Sequence, residues 1–210
     1  MRILVIGAGG VGSAVAAIAG RRGFFERMLL ANLSAGRARA AVARMDGDAR
    51  FGAAALDASD ADAVVALAEA ERIDTILNAC DPWLNPPIFA AAARAGCTYL
   101  DMAMTLSRRH PERPFERSGV KLGDEQFAVA GEWEAAGRLA LCGIGVEPGL
   151  SDVFARYAAD HLFERIDEVG VRDGADLAVD GHAFAPTFSI WTTIEECLNP
   201  PGSSRPSRCA

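Results

Sequence analysis

The sequence lacks a pairing pattern for its cysteines. Its 210 residues hold five, Cys80, Cys97, Cys142, Cys197 and Cys209, an odd number without C-x-x-C spacing. That argues against a disulfide framework and against zinc, and for a reducing, cytoplasmic setting. Histidine is equally sparse: His110, His161 and His182 are dispersed without metal-ligand spacing, so no metal is expected. Excess positive charge is missing too. A formal charge of -7 and a pI near 5.0 repel nucleic acid and anionic membranes at long range, so neither is expected as a partner. No long apolar run is left uninterrupted. Residues 3–20, ILVIGAGGVGSAVAAIAG, imitate a secretory leader, with Ala14-Val15-Ala16 as its cleavage site. Gly7, Gly9, Gly10 and Gly12 break it where a leader needs continuous helix, each costing about 1 kcal/mol.

What is present is an alternation. Half of the residues are hydrophobic, ample for a core. Residues 2–6 read as a strand, 11–22 as an Ala-rich helix closed by Gly23, and 28–32 as a second strand. Ser34 caps a helix over 35–45, residues 50–56 form a third strand, and Ser59 or Asp60 caps a helix over 61–71. A strand over 74–78, a Pro-rich loop over 81–87, a helix over 88–95 ended by Gly96 and a strand over 98–102 follow. Beyond an Arg-rich and Pro-rich loop over 103–120, a helix spans 124–136, a strand 139–144 and a helix 150–163. Val, Ile and Leu runs alternating with helices predict an α/β fold with a doubly wound parallel sheet. From Ile166 the text changes, with half-polar strands in IDEVGVRDG and HAFAPTFSI and an amphipathic helix over 190–198. The predicted division is 1–150 for a dinucleotide-binding domain, 151–201 for the start of a second α/β domain, and 202–210 for an atypical tail.

The first turn carries the clearest chemistry. Gly7-Ala8-Gly9-Gly10-Val11-Gly12 is G-x-G-x-x-G, placed between a strand and a helix at the chain start. Gly7 permits the turn, Gly9 admits a pyrophosphate, Gly12 lets helix and strand touch, and the helix N-terminus supplies N–H groups. The ribose-reading residue, about 20 positions past the last glycine, falls on Asn32, followed by Leu33 and Ser34. A carboxylate there repels a 2′-phosphate by roughly 4 kcal/mol at about 4 Å and an effective dielectric of about 20. Asn32 removes that bar and favours NADP over NAD. Arg37 and Arg39 either pair with the phosphate or are solvated helix residues. Asp57-Ala58 and Asn78-Ala79-Cys80-Asp81-Pro82 sit at carboxyl ends of strands, where ligands bind in open sheets, and either touch the nucleotide or cap their loops. Asp101, ending YLDMAM, is the candidate catalytic or substrate-orienting acid, with a loop salt bridge or a cap as the other reading. Arg108, Arg109, Arg113 and Arg117 either clamp substrate carboxylates or lie on the surface.

GAGGVGSAVA, ILNACDPWLNPPIFAAAARAGCTYLDMAM and GIGVEPGLSDVFARYAADHL with IDEVGVRDG, taken in order, resemble the saccharopine dehydrogenase family over residues 1 to about 201. The resemblance implies a Rossmann domain followed by a substrate domain, and NAD(P)-dependent oxidation or reduction at a carbon–nitrogen bond of an amino-acid-like small molecule. It places Gly7, Gly9, Gly10, Val11 and Gly12 on the cofactor, Asn78 to Pro82 beside it and Asp101 near the reacting centre. Asn32 and Leu33 depart from the Asp or Asp-Arg of many relatives. The Tyr-x-x-x-Lys pair of short-chain reductases is missing, since Tyr157 is followed by Ala-Ala-Asp-His and the other tyrosine is Tyr99.

The relatives so resembled run to nearly twice this length, and GSSRPSRCA breaks the pattern after Pro201, as a frameshift or a clipped reading would, with an authentic short terminus as the other reading. An incomplete second domain leaves apolar surface that a homodimer would cover. The alternative function is a non-catalytic dinucleotide-binding module or an enzyme remnant.

Overall fold

The computed structural model describes residues 1–117, 119–172, 174 and 179–181. The chain divides into two compact units, one of Met1–Leu106 with Gly123–Val153, the other of Ser107–Leu122 with the chain from Phe154 onward. The first unit carries a parallel sheet. Its strands are β1 (Arg2–Ile6), β2 (Arg27–Asn32), β3 (Phe51–Ala55), β4 (Thr75–Asn78), β5 (Thr98–Asp101) and β6 (Ala140–Leu141), in the order β3-β2-β1-β4-β5-β6. Every pairing is parallel.

The alternation along β1 shows why both faces are covered. Ile3 and Val5 join one apolar cluster with Ala16 and Ala19 of α1 (Gly10–Ala19) and Ala38 and Ala41 of α2 (Ala35–Val42). Leu4 and Ile6 join the other, with Val64 and Ala68 of α3 (Ala61–Ala70) and Ile88, Phe89, Ala91 and Ala92 of α4 (Asn85–Arg94). Successive strand residues point to opposite faces, so a strand apolar on both sides needs helices above and below. The fold is therefore the doubly wound, Rossmann-like α/β architecture expected from the sequence. The strand order reverses between β1 and β4, and it is outside the carboxyl ends at such a switch point that open α/β sheets form their ligand crevice.

Capping agrees with the sequence: Ser34 accepts from Arg37 N, and Asp60 accepts from Asp62 N and Ala63 N. Boundaries differ where tertiary contacts intervene. Helix α1 stops at Ala19, with Gly20 as its cap, so Gly23 lies outside it. The Pro-rich loop is partly helical, a 3-10 turn over Pro82–Leu84 running into α4 at Asn85. Pro86 and Pro87 fall in the first turn, where a missing N–H costs no intrahelical bond. The helix expected over 124–136 is two short ones, α5 (Asp124–Phe127) and α6 (Ala130–Ala135). Val129 leaves helical geometry between them, and Val129 and Gly131 are both weak helix formers.

The strand expected over 139–144 shrinks to β6, because Gly143 takes φ +71 and donates its N–H to the Asp101 carboxylate at 2.7 Å, turning the chain off the ladder. Helix α7 spans Leu150–His161, two residues short of expectation. In the second unit, residues 166–172 and 174 form no strand, contrary to the reading of IDEVGVRDG. No partner strand runs beside them among the described residues, and an unpaired strand is not stable. The second half-polar strand and the helix over 190–198 lie outside the described residues, as does the tail. No helix among the described residues is long and apolar enough to cross a membrane.

Candidate functional site

The glycine turn sits at the mouth of the β1/β4 crevice. Gly7 has φ +106, and a Cβ there would lie 2.5 Å from the Ala79 carbonyl oxygen, so the turn leans directly on the backbone after β4. At Gly12 a Cβ would come within 1.9 Å of the Gly7 oxygen. Only glycine closes this strand-to-helix corner. Gly9 and Gly10 are different, since a Cβ at either meets nothing within 4 Å. Gly9 caps α1 without a side-chain hydrogen bond, and first-turn N–H groups have no intrahelical acceptors. The loop thus presents donors and open backbone surface to an anion. Ala8 is buried beneath it and Val11 is exposed.

At the end of β2, Asn32 Oδ1 accepts the Ser34 N–H at 2.9 Å, which spends the oxygen on the turn into α2. Leu33 is exposed, and Arg37 stands exposed in the first turn of α2. After β3, exposed Asp57 accepts from both the Ser59 hydroxyl (2.6 Å) and its N–H (2.9 Å), and those bonds hold its carboxyl below the usual range. Ala58 is buried beside it. After β4, Asp81 accepts from Trp83 N and begins the 3-10 turn at Pro82.

Cys80 faces inward, its thiol donating to the Ile6 carbonyl at 3.3 Å. Burial, assisted by the nearby Asp81 charge, pushes that thiol up to about 11. Thiolate is the reactive form, so alkylation of Cys80 by iodoacetamide at pH 8 is expected to be on the order of a hundredfold slower than that of a free thiol. Its rate should still climb at pH 10, where a free thiol has levelled off. Peptide-resolved mass spectrometry separates Cys80 from the other cysteines; modification at the free-thiol rate would contradict its placement.

Asp101 lies at the end of β5 in register with Asn78 of β4, which is itself in register with Ile6 of β1. It is not an exposed acid. It is 1% accessible, with Gly143 N–H donating to Oδ1 at 2.7 Å and Gln126 Nε2 to Oδ2 at 2.6 Å. Burial raises its pKa against the opposing pull of these donors. The Tyr99 hydroxyl accepts from Asn78 Nδ2 at 3.2 Å, and that nitrogen donates to Asn85 Oδ1 at 2.6 Å. Asn85 Nδ2 donates to the Ala103 carbonyl at 2.5 Å, Gln126 Oε1 accepts Thr105 N–H at 2.8 Å, and Asn78 Oδ1 accepts Cys80 N–H at 3.0 Å.

Asn78, Asn85, Asp101, Thr105 and Gln126 are the buried polar residues among those described, and they all fall in this cluster. Sequence reasoning missed Asn85, Tyr99, Thr105 and Gln126. No local signal marked them, since an Asn before Pro86-Pro87 is ordinary at a helix start. In the second unit, Arg113 of the Arg-rich loop pairs with Glu116. Among the described residues, no three His, Cys, Asp or Glu side chains gather as a metal site would require.

Residues 3–141 match the model of the saccharopine dehydrogenase NADP binding domain. The chain belongs to that family. Two curated relatives extend the match over most of the chain. Carboxynorspermidine synthase of Vibrio alginolyticus is 32% identical over 206 residues, covering 93% of this chain and 48% of the relative. Carboxyaminopropylagmatine dehydrogenase of Synechocystis is 31% identical over 196 residues, covering 93% of this chain and 46% of the relative. The chain thus spans about half the length of the curated relatives it matches. Among solved structures, saccharopine dehydrogenase (L-Glu forming) of Saccharomyces cerevisiae superposes with a TM-score of 0.58 at 17% identity, over 77% of this chain and 31% of that one, a likeness of fold. The family's domain is an NADP-binding one, in agreement with the cofactor expected.

Proposed function

We propose that this chain binds NADPH in the β1/β4 crevice and serves an oxidoreductase that makes or breaks a carbon–nitrogen bond in an amino-acid-like small molecule. The observation that carries the reading is the glycine corner itself: Gly7 and Gly12 have no room for a side chain, whereas Gly9 and Gly10 face open space. That is the pattern of a backbone cradle built for a pyrophosphate. Gly7 to Gly12 and the N-terminus of α1 would hold the phosphates. Asn32, Leu33, Ser34 and Arg37 would flank the adenosine ribose and its 2′-phosphate, Asp57 and Ala58 the adenine, and Asn78 to Pro82 the nicotinamide side.

When bound, the cofactor supplies hydride. The chain's own part is orientation, since hydride transfer needs donor and acceptor within about 3 to 3.5 Å. In the reductive direction an amine and a carbonyl condense with loss of water to an imine, and addition of hydride and a proton gives the secondary amine. The relatives named for carboxylated amines support this bond as the reacting one. Free thiols at Cys80, Cys97 and Cys142 fit a cytoplasmic setting. Exposed Val153, Phe154 and Tyr157 on α7 are the surface a homodimer would cover, and light scattering distinguishes one 22.1 kDa protomer from two.

Fluorescence titration tests the binding step: NADPH should bind at micromolar concentration and at least tenfold tighter than NADH. A tenfold preference for NADH, or no NADPH binding at millimolar concentration, would overturn the reading. NADPH oxidation followed with pairs of an amino acid or polyamine and a keto acid or aldehyde tests the chemistry. Tight binding with no turnover on any pair would leave the chain a dinucleotide-binding module.

A further inference from the structure

We propose that Asp101 is the positioning residue of the crevice and not its proton donor, a reading that rests on the crevice being the NADPH site. Both carboxylate oxygens are already committed, Oδ1 to Gly143 N–H and Oδ2 to Gln126 Nε2, and the side chain is shut off from solvent. An acid that delivers a proton must reach the reacting atom, directly or through one water. Asp101 reaches neither solvent nor open crevice. Its bonds do something else.

By accepting from Gln126 Nε2, the carboxylate fixes which way the Gln126 amide faces, and only in that orientation can Oε1 accept the Thr105 N–H. In register beside it on β4 is Asn78, which donates to the Tyr99 hydroxyl and whose oxygen holds Cys80 N–H. The Ala79 carbonyl between those two residues is the surface against which Gly7 closes. One buried carboxylate therefore sets the loop after β5 and, in register with Asn78, borders the strand end that forms the wall of the glycine turn. Asn85 ties the same loop from the other side, at the Ala103 carbonyl.

Such a relay is defined by donor and acceptor polarity, and polarity can be inverted. In Asp101→Asn the amide oxygen can still accept from Gly143 N–H, but its NH2 group then faces the NH2 group of Gln126. If Gln126 turns over to accept, its own NH2 meets the Thr105 N–H. Either way two donors oppose each other in a buried site. Adding Gln126→Glu restores the order: Asn at 101 donates to Glu at 126, whose second oxygen accepts from Thr105 N–H. The carboxylate has moved by one side chain, and the relay is rebuilt around it.

The test uses the 210-residue chain and NADPH fluorescence titration at a temperature well below the melt of every variant, with melting curves recorded beside it. D101N is expected to weaken NADPH about tenfold, Q126E alone to weaken it similarly by placing two carboxylates together, and the double variant to return within about threefold of the parent. Where turnover is measurable, kcat returns with it. A double variant as weak as D101N, or one that regains binding while kcat stays lost, would overturn the proposal, the second result marking Asp101 as an acid in its own right.

Failure of the function reading shows separately, as a parent chain that binds no NADPH. In that case amide hydrogen exchange at Thr105 decides: fast in D101N and slow again in the double variant supports the relay. Exchange at that amide unchanged in D101N overturns it.

Discussion

Gly12→Ala is expected to lower the melting temperature on the order of 10 °C and to abolish measurable NADPH binding, whereas Gly9→Ala leaves the melt in place and weakens NADPH about tenfold. The two glycines stand in one motif, yet they do different jobs. A Cβ at position 12 would sit 1.9 Å from the Gly7 oxygen and 3.1 Å from its carbonyl carbon. Both obstacles are backbone, so relief requires moving β1 away from α1, which unseats Val5 and Ala16 from the same apolar cluster. Overpacking of this kind costs about 3 kcal/mol or more, and for a chain of this size 1 kcal/mol is worth roughly 2–4 °C. The damage is present with or without cofactor.

At Gly9 the added methyl meets nothing of the protein within 4 Å, so the apo fold is indifferent to it. Its cost appears only when a phosphate must approach the backbone. Melting curves and NADPH titrations on the two variants check this. Equal melting losses in both, or a Gly12→Ala chain that binds NADPH as the parent does, would show that the corner is looser than it stands here.

The contrast marks what a sequence can carry. The glycine corner, the strand runs and the caps at Ser34 and Asp60 are local, each settled by residues within a few positions of one another, and they were legible. The early end of β6 and the burial of Gln126 were not, because each is decided by a bond to a distant part of the chain. Gln126 and Gly143 meet Asp101 across separations of 25 and 42 residues. Periodicity marked Asp101 as polar at the end of a strand and therefore as a candidate acid. It had no means of showing that two donors converge on it, nor that Asn85 and Gln126 belong to the same buried cluster. Buried polar side chains are specified by their partners, and partners are a tertiary property.

Asn32→Asp should raise the NADPH dissociation constant about a hundredfold and leave NADH unchanged or tighter. The substitution is nearly isosteric, and its effect can be traced to one atom. Asn32 Oδ1 accepts from Ser34 N–H at 2.9 Å, and an Asp oxygen accepts equally well, so the turn into α2 and the Ser34 cap persist. The amide nitrogen, a donor, becomes a carboxylate oxygen. A 2′-phosphate about 4 Å away is then repelled by roughly 4 kcal/mol at an effective dielectric of about 20, reduced to about 3 kcal/mol by water at this half-exposed position. With about 1.4 kcal/mol per factor of ten, that is roughly a hundredfold. NADH has a 2′-hydroxyl there, which donates to a carboxylate and gains from the same change. Because the repulsion acts between partly solvated charges, the selectivity difference between parent and variant should shrink as salt approaches 1 M, where the screening length falls to about 3 Å. Exposed Arg37, at the start of α2, is the residue expected to supply the opposing attraction. Arg37→Ala in the parent is accordingly expected to cost NADPH about tenfold and NADH little. Titration of both cofactors against the three chains reads all of these at once. A variant with Asp at 32 that holds NADPH as tightly as the parent would place the 2′-phosphate somewhere other than the end of β2.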